Sequence, residues 1–234
     1  MLGFTFRNRH TREFQGLVVK TVNNPLLAPK RIKRISVPGR DGSYVFEDGF
    51  ENKQLEFKCI MAKGSIPERR LRLREIAAWL SGPGALVLDH EPDKTYKIVR
   101  AISDVGLTLD KITDDFNIVF EAEPFQYGQL YTVSVDSPTS FVVTNNGNAP
   151  ADTLITLSGS GNVTVSGVAL SFLLTGMTEV LQLDSKRMLV YNGSFVNKLS
   201  KHTGDFIRLI PGANTITISG TVSNVTIEFY DTYI

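Results

Sequence analysis

The chain predicts a mainly β protein in two parts, with a single α-helix in the first. Three observations carry this. Short runs of alternating apolar and polar residues recur along nearly the whole chain, the pattern of half-buried strands. Only one stretch, near residues 65–82, shows the period of a helix. Charge then drops sharply: residues 1–130 hold 20 Lys and Arg against 17 Asp and Glu, whereas residues 131–234 hold 5 against 7. A boundary near residue 130 follows, giving domains 1–130 and 131–234 joined by a short linker near Gly128–Ser137.

Strands open the first part. Phe4 and Phe6 alternate, Gly16 to Val22 forms a second run, and Lys30 to Val37 sets Ile35 and Val37 on one face among Lys30, Arg31, Lys33 and Arg34. Pro38-Gly39-Arg40-Asp41-Gly42 reads as a turn whose glycines supply positive φ. Tyr44-Val45-Phe46 follows, then Glu47-Asp48-Gly49 as a second turn. Leu55 to Met61 is the clearest strand.

Ser65 is the expected N-cap of the helix, with Glu68 three residues on completing a capping box and Pro67 in the first turn. Leu73, Ile76, Ala77 and Leu80 share one face, and Gly82-Pro83 ends the element. Arg69, Arg70, Arg72 and Arg74 crowd its first half, where the helix dipole disfavours cations by a few tenths of a kcal/mol each, so groups outside the helix are expected to compensate them. Strands return at Leu86–Leu88, Tyr96–Ala101 and Phe116–Ala122, with His90–Lys94 as a turn.

Beyond Tyr131 the texture is Ser, Thr, Val, Asn and Gly with no helical period. Nine short strands are expected: 140–144, 153–157, 162–168, 170–174, 180–183, 187–191, 206–209, 214–219 and 224–230. Turn signals about every 8–12 residues make this a β-sandwich. Asn192-Gly193 suits a type I′ hairpin and Pro211-Gly212 the centre of a type II turn.

Chemistry is sparse. Cys59, the one cysteine, excludes an intrachain disulfide and sits among core positions as an inert thiol. His10, His90 and His202 lack metal-ligand spacing, and Asp89-His-Glu91-Pro-Asp93 fails as a calcium loop because Lys94 and Arg100 occupy the positions that need Gly and Glu. Gly159-Ser-Gly161 precedes a strand, not the helix a phosphate cradle needs. Asp104, Asp110, Asp114 and Asp115 read as a solvated acidic loop. No enzyme, cofactor or metal is expected. The run Lys30–Arg34 with Arg40 lacks the interleaved aromatics of single-strand readers, so it suits a subunit-facing surface better than nucleic acid. No apolar run is long enough for a signal peptide or a span, so synthesis in a cytosol is expected and a membrane is not. Net charge of +1 implies no bulk attraction to nucleic acid. Trp79 lies outside the second part, where Phe141, Phe172, Phe206 and Phe229 look like core. Tyr191 and Tyr230 are the rings that could contact carbohydrate there, alongside Phe195 and Tyr233.

Several segments together resemble the siphophage distal tail proteins. In the first part these are Gly3–Arg7; Val37-Pro-Gly-Arg-Asp-Gly42 with Glu47-Asp-Gly49; Leu55–Met61; Ser81-Gly-Pro-Gly84; Leu86-Val-Leu-Asp89 with Tyr96; and Phe120-Glu-Ala-Glu-Pro-Phe-Gln-Tyr127. In the second they are Asn146-Gly-Asn148, Gly159-Ser-Gly161, Leu183-Asp-Ser185, Gly204-Asp-Phe206 and Leu209–Ile216. The resemblance implies a β-sandwich-like N-terminal domain with one helix and an extended hairpin arm, then a galectin-like or jelly-roll sandwich. It implies a structural virion protein forming a hexameric ring at the tail tip. That ring would join the tail tube protein to a tail-associated tip protein, with receptor-binding proteins at the periphery and DNA as passing cargo. Such a protein is made in the host bacterial cytoplasm. The arm implied by this resemblance would place Ile35, Val37, Tyr44, Val45 and Phe46 between subunits, with Arg31, Arg34 and Arg40 pairing across. The alternative is a carbohydrate-binding adhesion module of a baseplate.

Overall fold

The computed structural model describes residues 2–102, 108–109 and 114–234. Asp104 and Asp110 of the expected acidic loop lie outside the described residues. The chain divides into two compact units, residues 1–126 with Ile234, and residues 127–233. The division falls inside a strand, Asp114–Asp136, so residues 128–136 are strand where the sequence suggested a linker.

In the first unit the strands are β1 (Phe4–Phe6), β2 (Arg9–His10), β3 (Leu17–Asn23), β4 (Lys30–Ser36), β5 (Ser43–Phe50), β6 (Lys53–Met61), β7 (Gly84–Leu88), β8 (Glu91–Ile102), β9 (Thr108–Leu109) and the first half of β10 (Asp114–Asp136), with the helix α1 (Ile66–Leu80). β6 is central, flanked by β3 and β10, with Leu55 opposite Phe120, Phe57 opposite Ile118 and Cys59 opposite Phe116. β1 joins β2 and β7, and β7 joins β8. Strict alternation sends Leu55, Phe57, Cys59 and Met61 inward and Gln54 and Lys58 outward.

The core of this unit is aromatic. Phe4 contacts Phe57, Trp79 and Phe120, and Phe14 packs on Trp79 at 4.8 Å. The Trp79 indole donates to the Phe6 carbonyl at 2.9 Å, which satisfies its one polar atom inside the core. α1 begins as expected: the Ser65 N–H donates to the Glu68 carboxylate at 2.7 Å and helps hold that carboxyl below its usual range. Its buried positions are Arg69, Ile76, Trp79 and Leu80, with Leu73 partly buried, while Ala77 is exposed.

In the second unit the strands are β11 (Ser140–Asn145), β12 (Ala151–Ser166), β13 (Ser171–Met177), β14 (Leu181–Asp184), β15 (Leu189–Asn192), β16 (His202–Gly204), β17 (Arg208–Leu209) and β18 (Gly212–Tyr233). β12 and β18 pair with each other along most of their length. The first half of β12 has β14 as its other neighbour, its second half β13. β15 then pairs β14, and β16 pairs β13, so the two halves of β12 head two different layers. The aliphatic core between them includes Ile155, Leu157, Val163, Leu174, Val225 and Ile227, with Phe172 and Phe229 buried as expected.

Two pairs of expected strands are in fact single strands. Residues 153–157 and 162–166 belong to β12, which ends before the last two residues of the expected strand, and residues 214–219 and 224–230 belong to β18. The glycines read as breaks are bends. The β12–β18 register shifts between Ser158 and Thr164, Gly161 has φ +75°, and Gly220 has φ +116°. A Cβ on Gly220 would stand 2.3 Å from the Asn162 carbonyl oxygen, so the crossing requires glycine.

Three turns also differ from expectation. Asn192-Gly193 does not centre a type I′ turn, since neither residue has positive φ. Asn192 instead starts the turn: its carbonyl accepts from Phe195 N–H, and its side-chain oxygen accepts from the N–H groups of Ser194 and Val196. An Asn side chain that can mimic a backbone turn prefers that role here. Glu47-Asp48-Gly49 lies within β5. His90–Lys94 shrinks to the two-residue turn Asp89-His90, because Glu91 already pairs with Leu88. Gly212, with φ +91°, has the positive φ of a type II centre.

Candidate assembly surface

β4 and β5 form a two-stranded sheet that pairs with no other strand among the described residues. Every residue of β4 and all of β5 except Phe50 are exposed. Two-residue alternation sorts the side chains. Ile35 faces Tyr44 and Lys33 faces Phe46, so Ile35, Tyr44 and Phe46 share one face, which Val37 extends. Arg34 faces Val45 and Ile32 faces Glu47 on the other. The structure thus brings the expected interface residues together on one hairpin but puts Val45 on the face opposite Tyr44 and Phe46. Ile32, 48% exposed, joins Val45 there, an apolar residue inside the basic run.

The hairpin's shape follows from its glycines. Gly39 and Gly42 carry positive φ in the connecting turn, and Arg40 N–H donates to the Val37 carbonyl at 3.2 Å. Between Lys30–Phe50 and Ile32–Glu47, β4 advances two residues while β5 advances three. The additional residue falls at Asp48-Gly49, with Gly49 at φ +73°, which makes a glycine bulge of the expected turn.

The charges are partly engaged within the hairpin. Lys30 pairs with Glu47, Arg31 lies 3.9 Å from Asp48, and the Arg40 guanidinium sits 4.2 Å above the Tyr44 ring. Arg34 and Lys33 have no such partner among the described residues. An isolated two-stranded hairpin is marginal in water, and this one exposes Ile32, Ile35, Val37, Tyr44, Val45 and Phe46 at 42–54% each.

Elsewhere two of the four helix arginines, Arg69 and Arg72, find the compensation their dipole position called for. Arg69 is buried and pairs with buried Asp114 at 3.0 Å, while also donating to the Gly64 carbonyl. Arg72 donates to the Lys63 carbonyl and to Gln15. Asp114 is therefore no member of a solvated loop; of the two described members Asp115 is the exposed one, 3.5 Å from Lys20. Asp114 stands opposite Met61 at the end of the β6–β10 ladder, where the first turn of α1 meets it. Lys53, at the other end of β6, is also buried, over the Tyr96 ring at 4.8 Å. Burial lowers its pKa, and Glu91 partly restores it.

Cys59 is buried, and burial pushes its thiol up to about 12. His10 Nδ1 accepts from Arg12 N–H, which leaves Nε2 to donate to Asp89 at 2.9 Å. His202 stacks on Phe206 at 4.5 Å. Among the described residues no three His, Cys, Asp or Glu side chains gather as metal ligands, and no helix is long and apolar enough to cross a membrane. The two carbohydrate candidates sit on different strands and meet different rings. Tyr191 of β15 stacks on Phe195 at 5.4 Å, and Tyr230 of β18 meets Tyr127 edge-on at 6.1 Å. Phe195, 78% exposed, is the more accessible ring.

Residues 17–122 match the family model of the phage tail protein RIFT-related domain. No curated protein matches the chain. Among solved structures, the chain is similar to the SPP1 Dit (gp 19.1) protein, described as a paradigm of the hub adsorption apparatus in phages infecting Gram-positive hosts. That match has a TM-score of 0.80 at 15% identity and covers 100% of both chains. Phage p2 baseplate structures in the activated conformation, with Sr and with Ca, give TM-scores of 0.47 and 0.44 at 9% and 7% identity, covering 98% of each chain. At 15% identity the first likeness establishes the fold, a mainly β chain with one helix.

Proposed function

We propose that this chain, which carries a phage tail RIFT-related domain and resembles the siphophage distal tail proteins, is a structural subunit of a phage tail tip. In this reading identical copies close head to tail into a hexameric ring. The ring joins the tail tube protein to the tip protein and lets DNA pass through its centre. A head-to-tail contact closes into a ring when its rotation closes. The observation that carries the reading is the hairpin β4–β5. It has no strand partner among the described residues and bears apolar side chains on both faces, so a neighbouring copy is what would bury it. Ile35, Val37, Tyr44 and Phe46 form the side that docks. Val45 and Ile32 back it, and Arg34, like Lys33, is left to pair with a neighbour's carboxylate.

Light scattering behind a sizing column tests this. The unaltered chain gives a concentration-dependent ring, and Ile35→Asp with Phe46→Asp gives monomers with unchanged far-ultraviolet circular dichroism. A ring that persists in the double variant sinks the placement on the hairpin. A chain that stays monomeric at high concentration, even beside its tail neighbours, sinks the ring.

A further inference from the structure

α1 and the strands beside it leave an open groove of about 460 Å3 in the first unit. Its walls are apolar, formed by Leu73, Ala77 and Leu80 of α1, Ile102 of β8 and Phe116 of β10, with Arg100 the charged residue among them. Arg100 is already neutralised by Glu121 at 2.5 Å. Two further cations stand on the helix outside the lining of the groove itself. Arg70 and Arg74 lie one turn apart and, by helical spacing, on the same side as Leu73 and Ala77. Unlike Arg69 and Arg72, neither has a hydrogen-bond or ion-pair partner among the described residues. Like charges at this spacing repel, and Arg70 stands in the N-terminal half of the helix, where the dipole opposes a cation. The groove therefore combines apolar walls with a cationic helix edge that is unpaired among the described residues.

We propose that this groove is a docking site for a segment of a partner protein that carries carboxylates beside apolar anchors. The carboxylates meet Arg70 and Arg74, and the anchors fill the space between Leu73, Leu80 and Phe116. The hairpin of a second copy is the wrong occupant by charge: β4 and its turn bring Lys33, Arg34 and Arg40 to a rim that is already positive. An open trough along a helix also suits a linear segment, as in helix-in-groove recognition. The site is separate from the β4–β5 surface, so its test does not depend on ring formation.

Fluorescence anisotropy on the full chain reads the site with three fluorescein-labelled peptides of one Leu pattern, the polar positions filled by Glu, Gln or Lys. The Glu peptide binds, more weakly as salt rises, and the Gln and Lys peptides bind at least about tenfold more weakly. Arg70→Gln with Arg74→Gln removes the preference for Glu over Gln. Ala77→Trp fills the trough at an exposed position and abolishes binding with an unchanged melting temperature. Equal binding of the Glu and Gln peptides, binding that survives Ala77→Trp, or saturable binding of sodium laurate with none of the Glu peptide each overturns the proposal.

Discussion

β5 and β6 are consecutive strands separated by two residues, and they are built from the same residue types. Tyr44, Val45 and Phe46 of β5 are 48–54% exposed, whereas Leu55 and Phe57 of β6 are 0% exposed. The difference is in what stands beside them. β6 has β3 on one edge and β10 on the other, and Phe57 has the rings of Phe4 and Phe120 against it. β5 has only β4. One hairpin completes a core; the other offers its apolar atoms outward. Alternation of apolar residues signals that a strand will be half-buried, but not by whom.

Substitutions test that contrast, and the largest effect is expected where a core strand meets the helix. Asp114→Ala strands the Arg69 guanidinium without its carboxylate inside the protein, a loss of about 3–5 kcal/mol. Urea unfolding measures it. Replacing both partners by apolar residues of similar size recovers most of that stability, because no buried charge remains. If Asp114→Ala unfolds at the wild-type midpoint, the pair does not hold α1 to the sheet.

Phe57→Ala and Phe46→Ala compare the two strands directly. The first empties a site packed by other rings and costs about 3–5 kcal/mol. The second, in dilute isolated chains, stays within about 0.5 kcal/mol. Equal losses would mean that the hairpin is buried in the isolated chain, and the contrast would fail.

The smallest effect is on thiol chemistry. Cys59 lies in β6 with its pKa raised to about 12, so a thiol reagent at pH 8 leaves the native chain unlabelled and takes up one equivalent after denaturation. A cysteine placed at Tyr44 on a Cys59→Ser background labels at once. The sign of the pH dependence follows from the same shift. The folded state holds the Cys59 proton more tightly than the unfolded chain. Its contribution is therefore whole below about pH 8.5 and declines as pH rises toward 12. Stability that rises across that window would contradict a buried neutral thiol.

Much of this was legible in the chain itself. Leu55–Met61 alternates so strictly that its core face could be read directly, and Ser65 with Glu68 marked the start of α1 to the residue. Local rules suffice there because strand periodicity and capping involve neighbours in sequence. The same rules break the expected strands at residues 158–161 and 220–223, where Gly161 and Gly220 are bends within continuous strands. A glycine with positive φ can either reverse a chain or bend it, and only the long partner strand keeps β12 and β18 continuous. Ile32, hidden among lysine and arginine, became visible as an apolar surface residue only through its register opposite Glu47.

From its sequence alone the chain settles that it is β-rich with one helix, that its charge is concentrated in the first 130 residues, and that Cys59 belongs to a core. Tertiary structure alone decided that Arg69 and Asp114, 45 residues apart, would be buried together, and that β4 and β5 would stand off from the core formed by their neighbours. The physical reason is one of range. Periodicity and capping act over a few residues, whereas burial of a charge or exposure of an apolar strand depends on which distant segment arrives beside it.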